Sequence, residues 1–414
     1  MDKKQLLTES KVFCMFPWMH LNVTPKGNIY PCCSSDYTTP FGSTKETTLA
    51  EAFNNDKMKD LRLKMVNGEK SDICTFCYKH EDAGPFSFRT YSIEHFGKRF
   101  DELMPLMQAD GTMDEFRMHY MDIRFSNLCN FKCRTCGDEF SSSWALESSI
   151  ERKKSNIKTN KIIPILKHVD DNKGLVLAEV IDQIDNIDLV YFAGGEPVIT
   201  EEHYLMLEAM IRKGRRDIIL RYNTNASSLK FKDYDLLDLW KNFDKIEVSC
   251  SIDHYGERAE WLRKGTEWGL IESNLLKFRD LDYVDFQMNT VFSIFNYLTV
   301  TELYEYLISK NIVRKDDWYH SLYLAVNPVY YCAQAMPKEL KEVAKSKATM
   351  FINNASADFQ GIKNLIGNAV SFADSADTWE EQRDTFLPLT NRIDKIRDED
   401  FFKTFPELQV LSTL

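Results

Sequence analysis

Apolar and polar positions along this chain keep one rhythm over a long middle stretch and different ones on either side. From about residue 120 to 335, apolar runs of strand length alternate with stretches of helical periodicity. Runs near 121–126, 188–193, 218–225, 245–252, 285–294 and 321–327 predict strands, and stretches near 138–153, 201–213, 233–241, 257–279 and 300–310 predict helices. Strands that alternate with helices pair in parallel through right-handed crossovers. Six repeats suit a doubly wound sheet or an incomplete (β/α) barrel, and either gathers its functional side chains at the C-terminal strand ends. Before this stretch, Pro17, Pro25, Gly27, Pro31, Pro40 and Gly42 punctuate short apolar runs. A hairpin is expected over residues 19–30, turning at Thr24-Pro25-Lys26-Gly27, and then a helix from about 49 to 66 that stops near Gly68. From 336 to 414 the pattern is helical. Residues 154–186 form a polar insertion with Lys153, Lys154, Lys158, Lys161 and Lys167 in or beside it. It reads as a solvated loop and helix, or as a basic surface for an acidic partner.

The 414 residues suggest two or three domains, and 43% hydrophobic residues are enough for a large core. No apolar run reaches the length of a membrane span, and the first ten residues lack the apolar core of a signal peptide. The expected location is therefore cytoplasmic, where ten cysteines read as metal ligands rather than disulfides. A net charge of −11 weighs against a general nucleic-acid binder.

Cys129, Cys133 and Cys136 follow the first of the six strands with the spacing C-x3-C-x2-C. Three thiolates on one loop can hold three corners of a cubane iron–sulfur cluster, leaving one iron open for a ligand. Gly194-Gly195-Glu196-Pro197 ends the second strand. Paired glycines let backbone approach a ligand closely, and a carboxylate can accept from an ammonium group. The same residues also suit a plain strand-to-helix turn with Pro197 first in the helix. Ser251 and Asp253 end the fourth strand, and Arg263, whose planar fork suits a carboxylate, follows Ser251 by twelve residues. Asn223, Thr224 and Asn225 end the third strand, Asn289 lies in the fifth, and Asn327-Pro328-Val329 follows the sixth. Strand-end asparagines also cap helices routinely.

In chain order these motifs resemble those of the radical S-adenosylmethionine (SAM) enzymes over residues 118–335. The resemblance implies a partial (β/α)6 TIM-like barrel. It implies a [4Fe–4S] cluster on Cys129, Cys133 and Cys136 whose open iron chelates SAM. Gly194, Gly195, Glu196 and Pro197 would contact the SAM amino group, and Ser251, with Asp253 beside it, and Arg263 its ribose and carboxylate. Asn225, Asn289 and Val329 would belong to the adenosine pocket. Thr135 stands where the family usually has an aromatic residue, which leaves only its backbone for adenine. Ala226 departs from the family's Thr-Asn-Gly. The implied chemistry is reductive cleavage of SAM to a 5′-deoxyadenosyl radical that abstracts hydrogen from a substrate, with a one-electron donor such as flavodoxin or ferredoxin.

Cys14, Cys32, Cys33, Cys74 and Cys77 form a second set, closing with a C-x2-C knuckle. Four thiolates suit zinc or an iron–sulfur cluster, and spacing alone leaves both open. The order resembles the twitch/SPASM auxiliary-cluster modules of radical SAM enzymes, although those usually follow the barrel. It implies an auxiliary [4Fe–4S] cluster on Cys14, Cys74, Cys77 and one of Cys32 and Cys33, with Cys32 preferred. The resulting division is an auxiliary module over 1–100, a barrel over 118–335 and a helical extension over 336–414. Cys250 reads as a small buried hydrophobe, and Cys332 as a candidate hydrogen-atom donor to a substrate radical. The expected substrate is a peptide or protein side chain that is oxidatively modified. A small-molecule dehydrogenase is the runner-up, and a metal-stabilised binding protein without turnover is the contrasting class.

Overall fold

The computed structural model describes residues 2–83, 86–154, 165–168, 175–315, 317 and 320–413. The chain forms two compact units that interleave along its length. One takes Met1–Leu128, Ile165–Arg221 and Tyr234–Lys245, and the other takes Cys129–Pro164, Tyr222–Asp233 and Ile246–Leu414. Of the expected ranges, 1–100 falls within the first unit and 336–414 within the second, while 118–335 is divided between them.

In the first unit, β1 (His20–Val23), β2 (Asn28–Tyr30) and β3 (Gly42–Ser43) form an antiparallel meander. Its hairpin turns at Gly27, whose φ of +83° suits glycine. β4 (Tyr120–Ile123) runs parallel to β1, with Asn22 opposite Asp122, and β5 (Leu189–Phe192) runs parallel to β4. Side chains alternate across a strand. Leu21, Val23, Met121 and Ile123 are buried on one face, while Asn22 and Asp122 share the other and are joined by an Asn22 Nδ2 to Asp122 Oδ2 hydrogen bond of 2.8 Å. The helix expected over 49–66 is two helices, Leu49–Phe53 and Asp56–Asn67. The break comes from Asn55, whose side chain caps the second helix at Met58 N and donates to Phe41 O.

β6 (Ile219–Thr224) carries the chain from the first unit into the second. There β7 (Ile246–Ser251), β8 (Val284–Phe292) and β9 (Ser321–Leu324) pair in parallel. Long helices close the chain at Lys338–Asn354, Gln360–Asp374 and Trp379–Arg397. The fold is mixed α/β with parallel strands and a helical C-terminal region, and β4 to β9 fall where the apolar runs predict them.

One element differs in a way that matters. The stretch 257–279 is not one helix but Gly256–Leu262 and Trp268–Arg279, separated by a short strand, Arg263–Lys264, that pairs antiparallel with Lys132–Cys133 of the cysteine loop. Gly265 makes the turn with φ +112°, and a Cβ there would meet Asn130 O at 2.8 Å. In the insertion, Leu175–Asp182 is helical and Lys167 pairs with Glu202 at 2.7 Å, whereas Lys158, Lys161 and the side chains of Lys153 and Lys154 lie outside the described residues. No helix among the described residues is long and apolar enough to cross a membrane.

Candidate metal centres

The cysteine loop of the second unit is held by hydrogen bonds along its length. Cys129 N donates to Ser142 Oγ at 3.3 Å, Ser143 Oγ donates to Cys129 O at 2.6 Å, and Trp144 Nε1 donates to Cys133 O at 3.0 Å. The three thiols are half-buried and form no disulfides. Phe131 N reaches Cys129 Sγ at 3.4 Å and Arg263 Nη1 reaches Cys133 Sγ at 3.7 Å, so both sulfurs already face N–H donors. Arg263 is fixed by Asp253, with Nε–Oδ2 at 2.8 Å and Nη2–Oδ1 at 2.9 Å. Val291 N fixes Asp253 Oδ1 in turn, at 2.8 Å. Burial works against the Arg263 charge, but Asp253 outweighs it and keeps the guanidinium ionised. Burial pushes the Cys136 thiol up to about 12 and raises Cys133 as well, with Arg263 opposing the rise at Cys133. Thiols in this state bind metal with release of protons.

The expected cofactor residues of this unit separate into those that face one another and those that do not. Ser251 and Asn289 are opposite each other in the β7–β8 ladder. Asn289 is buried, its Nδ2 donates to Asn223 Oδ1 at 3.1 Å, and its Oδ1 has no hydrogen-bond partner among the described residues. That open acceptor suits a ligand donor. Asn225 is instead committed to the protein: its Nδ2 donates to Asn130 Oδ1 at 2.9 Å, tying the end of β6 to the residue after Cys129. Thr135 is half-buried at the loop tip. Val329 is on the surface, 54% exposed. A cavity beside Cys136 is lined by Arg134, Trp144, Tyr330, Tyr331, Leu389 and Ile393, among others. Cys332 is not in that lining; it is buried, with its thiol donating to Gln334 Oε1 at 3.6 Å. Cys250 is fully buried.

In the first unit the two glycines approach backbone. Gly195 N donates to Ser126 O at 3.3 Å and Glu196 N to Leu128 O at 2.7 Å. A Cβ on Gly195 would lie 2.1 Å from Leu128 O, and Gly194 has φ +112°. The Gly-Gly turn is thus laid against the segment whose next residue is Cys129. Glu196 is 1% exposed and its carboxylate caps the turn Pro197–Ile199 at Val198 N. Sequence reasoning missed Asp122 and Arg124, at the end of β4 just before the cysteine loop. Asp122 is buried, paired with Asn22 and with Arg124 Nε at 3.4 Å. Their signal was the alternation of Tyr120, Asp122 and Arg124 with Met121 and Ile123.

Cys14, Cys32, Cys74 and Cys77 line one cavity, together with Arg89 and Met65, and Cys33 is not in the lining. Cys14 Sγ lies 3.1 Å from Ser92 Oγ, and burial pushes its thiol up to about 12. Burial also raises Cys74 and Cys77, while contact with Cys33 is the largest cause of the rise at Cys32, ahead of burial. Arg89, bound to Glu81 and to Phe13 O, places a fixed cation at this site. Among the described residues no three His, Cys, Asp or Glu side chains converge closely enough for a single metal ion.

Residues 14–78 match the SPASM family, an iron–sulfur cluster-binding domain. No curated protein matches the chain. Among solved structures it is similar to native anSMEcpe with bound AdoMet and Cp18Cys peptide, at 16% identity over 58% of this chain and 60% of that one, with a TM-score of 0.37. It is also similar to Streptococcus suis SuiB bound to S-adenosylmethionine, at 16% identity over 71% and 63% with a TM-score of 0.34. A third similarity is to TYW1 with a lysine-pyruvate adduct bound, at 12% identity over 58% and 72% with a TM-score of 0.27. The chain spans 60% of the length of the first of these structures.

Proposed function

We propose that this chain is a radical SAM enzyme with an auxiliary iron–sulfur module supplied by residues 14–78. The observation that carries the reading is the meeting of Cys133, Arg263 and Asp253, brought together by the strand that interrupts 257–279. It places a charge-locked guanidinium against one thiol of a three-cysteine loop, where a cofactor carboxylate needs a cation. Cys129, Cys133 and Cys136 would hold the first cluster. Cys14, Cys32, Cys74 and Cys77 would hold the second. When bound, the cluster and SAM would supply the radical chemistry, a one-electron reductive cleavage of SAM that enables hydrogen abstraction from a substrate.

The chain's own residues bind and orient. Ser251 and Asn289 present polar groups from paired positions on adjacent strands for the nucleoside. Arg263 holds the carboxylate end. The substrate we favour is a peptide or protein side chain that undergoes oxidation, for which a cluster held by Cys14, Cys32, Cys74 and Cys77 would supply an electron acceptor. A small-molecule dehydrogenase is the alternative.

The test is anaerobic reconstitution with iron, sulfide, reductant and SAM. The reading expects about eight irons per chain and release of 5′-deoxyadenosine. The Cys129→Ala, Cys133→Ala, Cys136→Ala variant should keep about half the iron and lose the nucleoside product. A fully loaded protein that never yields 5′-deoxyadenosine would sink the reading.

A further inference from the structure

The C-terminal segment has no part in the mechanism above, yet its charged side chains reach the cysteine loop. Arg134, between Cys133 and Cys136, has no exposed side chain. Its Nη2 contacts Asp394 Oδ1 and also Glu399 Oε2, the latter at 2.6 Å, and its guanidinium lies over the Trp261 ring at 3.6 Å. Glu399 also takes Lys264 Nζ at 2.9 Å, from the strand paired with the loop, and Asp394 Oδ2 accepts from Phe401 N at 2.6 Å. On the other side of Cys133, Lys132 Nζ meets Glu147 at 2.6 Å, and Glu147 is held in turn by the buried Arg397 at 2.9 Å. Arg397 lies over Trp144, whose indole donates to Cys133 O. The residues flanking Cys133 are therefore tied to the C-terminal segment, directly at Arg134 and through Glu147 at Lys132.

We propose that residues 379–412 are a positioning clamp for the cluster loop, in which Asp394, Glu399 and Arg397 fix its shape and balance its buried charges. The proposal rests on the reading that this loop holds a cluster. Two consequences follow. A loop held in place before metal arrives retains iron better, as supporting partners of metal ligands generally do. Reduction adds negative charge to a cluster, so an uncompensated Arg134 favours the reduced form and raises the potential.

The experiment uses the full chain, reconstituted with iron and sulfide, as wild type, as Asp394→Asn with Glu399→Gln, and as Glu407→Gln. Glu407 belongs to the same segment but pairs with Arg258, at 2.9 Å. Two readouts follow the signal that the triple-cysteine variant loses, namely its rate of iron transfer to a chelator and its midpoint potential. The third is alkylation of Cys133 and Cys136 by iodoacetamide in the iron-free protein. The double variant is expected to lose iron about ten- to a hundredfold faster, to titrate at a higher potential and to alkylate faster, while Glu407→Gln matches wild type in all three. Wild-type values in the double variant overturn the clamp. Equal shifts in Glu407→Gln also overturn it, because they report general loosening. If the wild-type loop takes no iron, the enzyme reading fails, and unchanged alkylation in the double variant then decides against the clamp by itself.

Discussion

Replacing Gly195 by alanine tests the packing of the Gly-Gly turn against the main chain of Ser126–Leu128. The new Cβ would stand 2.1 Å from Leu128 O and 2.6 Å from Asn127 C, where real Cβ atoms keep 3.0 Å or more. Both neighbours are backbone, so no rotamer change relieves the contact, and the two segments must part by about 0.9 Å. Parting them weakens the hydrogen bonds Glu196 N to Leu128 O and Gly195 N to Ser126 O. Two such bonds at about 1 kcal/mol each, with about 1–3 kcal/mol for the forced shift, put the cost at roughly 3–5 kcal/mol. Because Cys129 follows Leu128 directly, the displacement falls on the first of the three proposed ligands. Reconstituted Gly195→Ala should carry about four irons instead of about eight, and its urea midpoint should fall. Gly137, next to Cys136, has nothing within 4 Å of where a Cβ would stand and no positive φ, so Gly137→Ala is the matched control and should keep both values. Full iron and an unchanged midpoint in Gly195→Ala would refute the argument.

Three further outcomes are expected. Cys32→Ser should lose the auxiliary cluster, while Cys33→Ser retains it, measured as iron and sulfide per chain; the reverse pattern would overturn the assignment drawn from the cavity lining. Arg263→Leu leaves the buried Asp253 without its partner and should cost about 3–5 kcal/mol, whereas Arg263→Lys should fold but raise the KM for SAM, since an ammonium cannot keep the two-point grip on Asp253; an unchanged KM would count against the site. Burial lowers His203 and His254 from 6.5 to about 3, with Arg258 adding to the effect at His254. Both imidazoles are neutral when folded, so their stability contribution is intact above pH 6.5 and is lost as pH falls toward 3. At pH 5 each should cost about 2 kcal/mol relative to pH 7.5, and urea titrations of His203→Gln should show a flatter slope; an unaltered slope would remove His203 from the account.

Much of the strand order was legible because buried parallel strands are apolar runs bounded by turn residues, and β4 to β9 obey that pattern. The cysteine sets stand out in the sequence because their spacing is local. What stayed hidden depends on contacts between distant residues. Within 257–279 the helical periodicity continues through Arg263, and single glycines such as Gly265 and Gly269 are tolerated in many helices at a modest cost. Only the pairing with Lys132–Cys133, 130 residues earlier in the ladder from Arg263 to Cys133, ends the helix there. The two glycines read as a close approach to a ligand, whereas the approach the structure shows is to the main chain at Leu128. Glu196 was legible as a carboxylate, while its inward turn follows from capping Val198. Arg134 carries half a signal, since a cation inside a cysteine loop calls for a counter-charge and the sequence cannot say which carboxylate answers.

The ladder between β1 and β4 bears on how the chain is made. His20 pairs with Tyr120 and Val23 with Ile123, so a strand synthesised early waits for one about a hundred residues later. Contacts of that separation carry a loop-closure cost and slow folding. The auxiliary region is therefore not a cassette that can be cut away or grafted at residue 100. Removing it would strip β4 of a neighbour and leave an open strand edge, a template for aggregation. Homologous shuffling of such regions should succeed only when β4 travels with them.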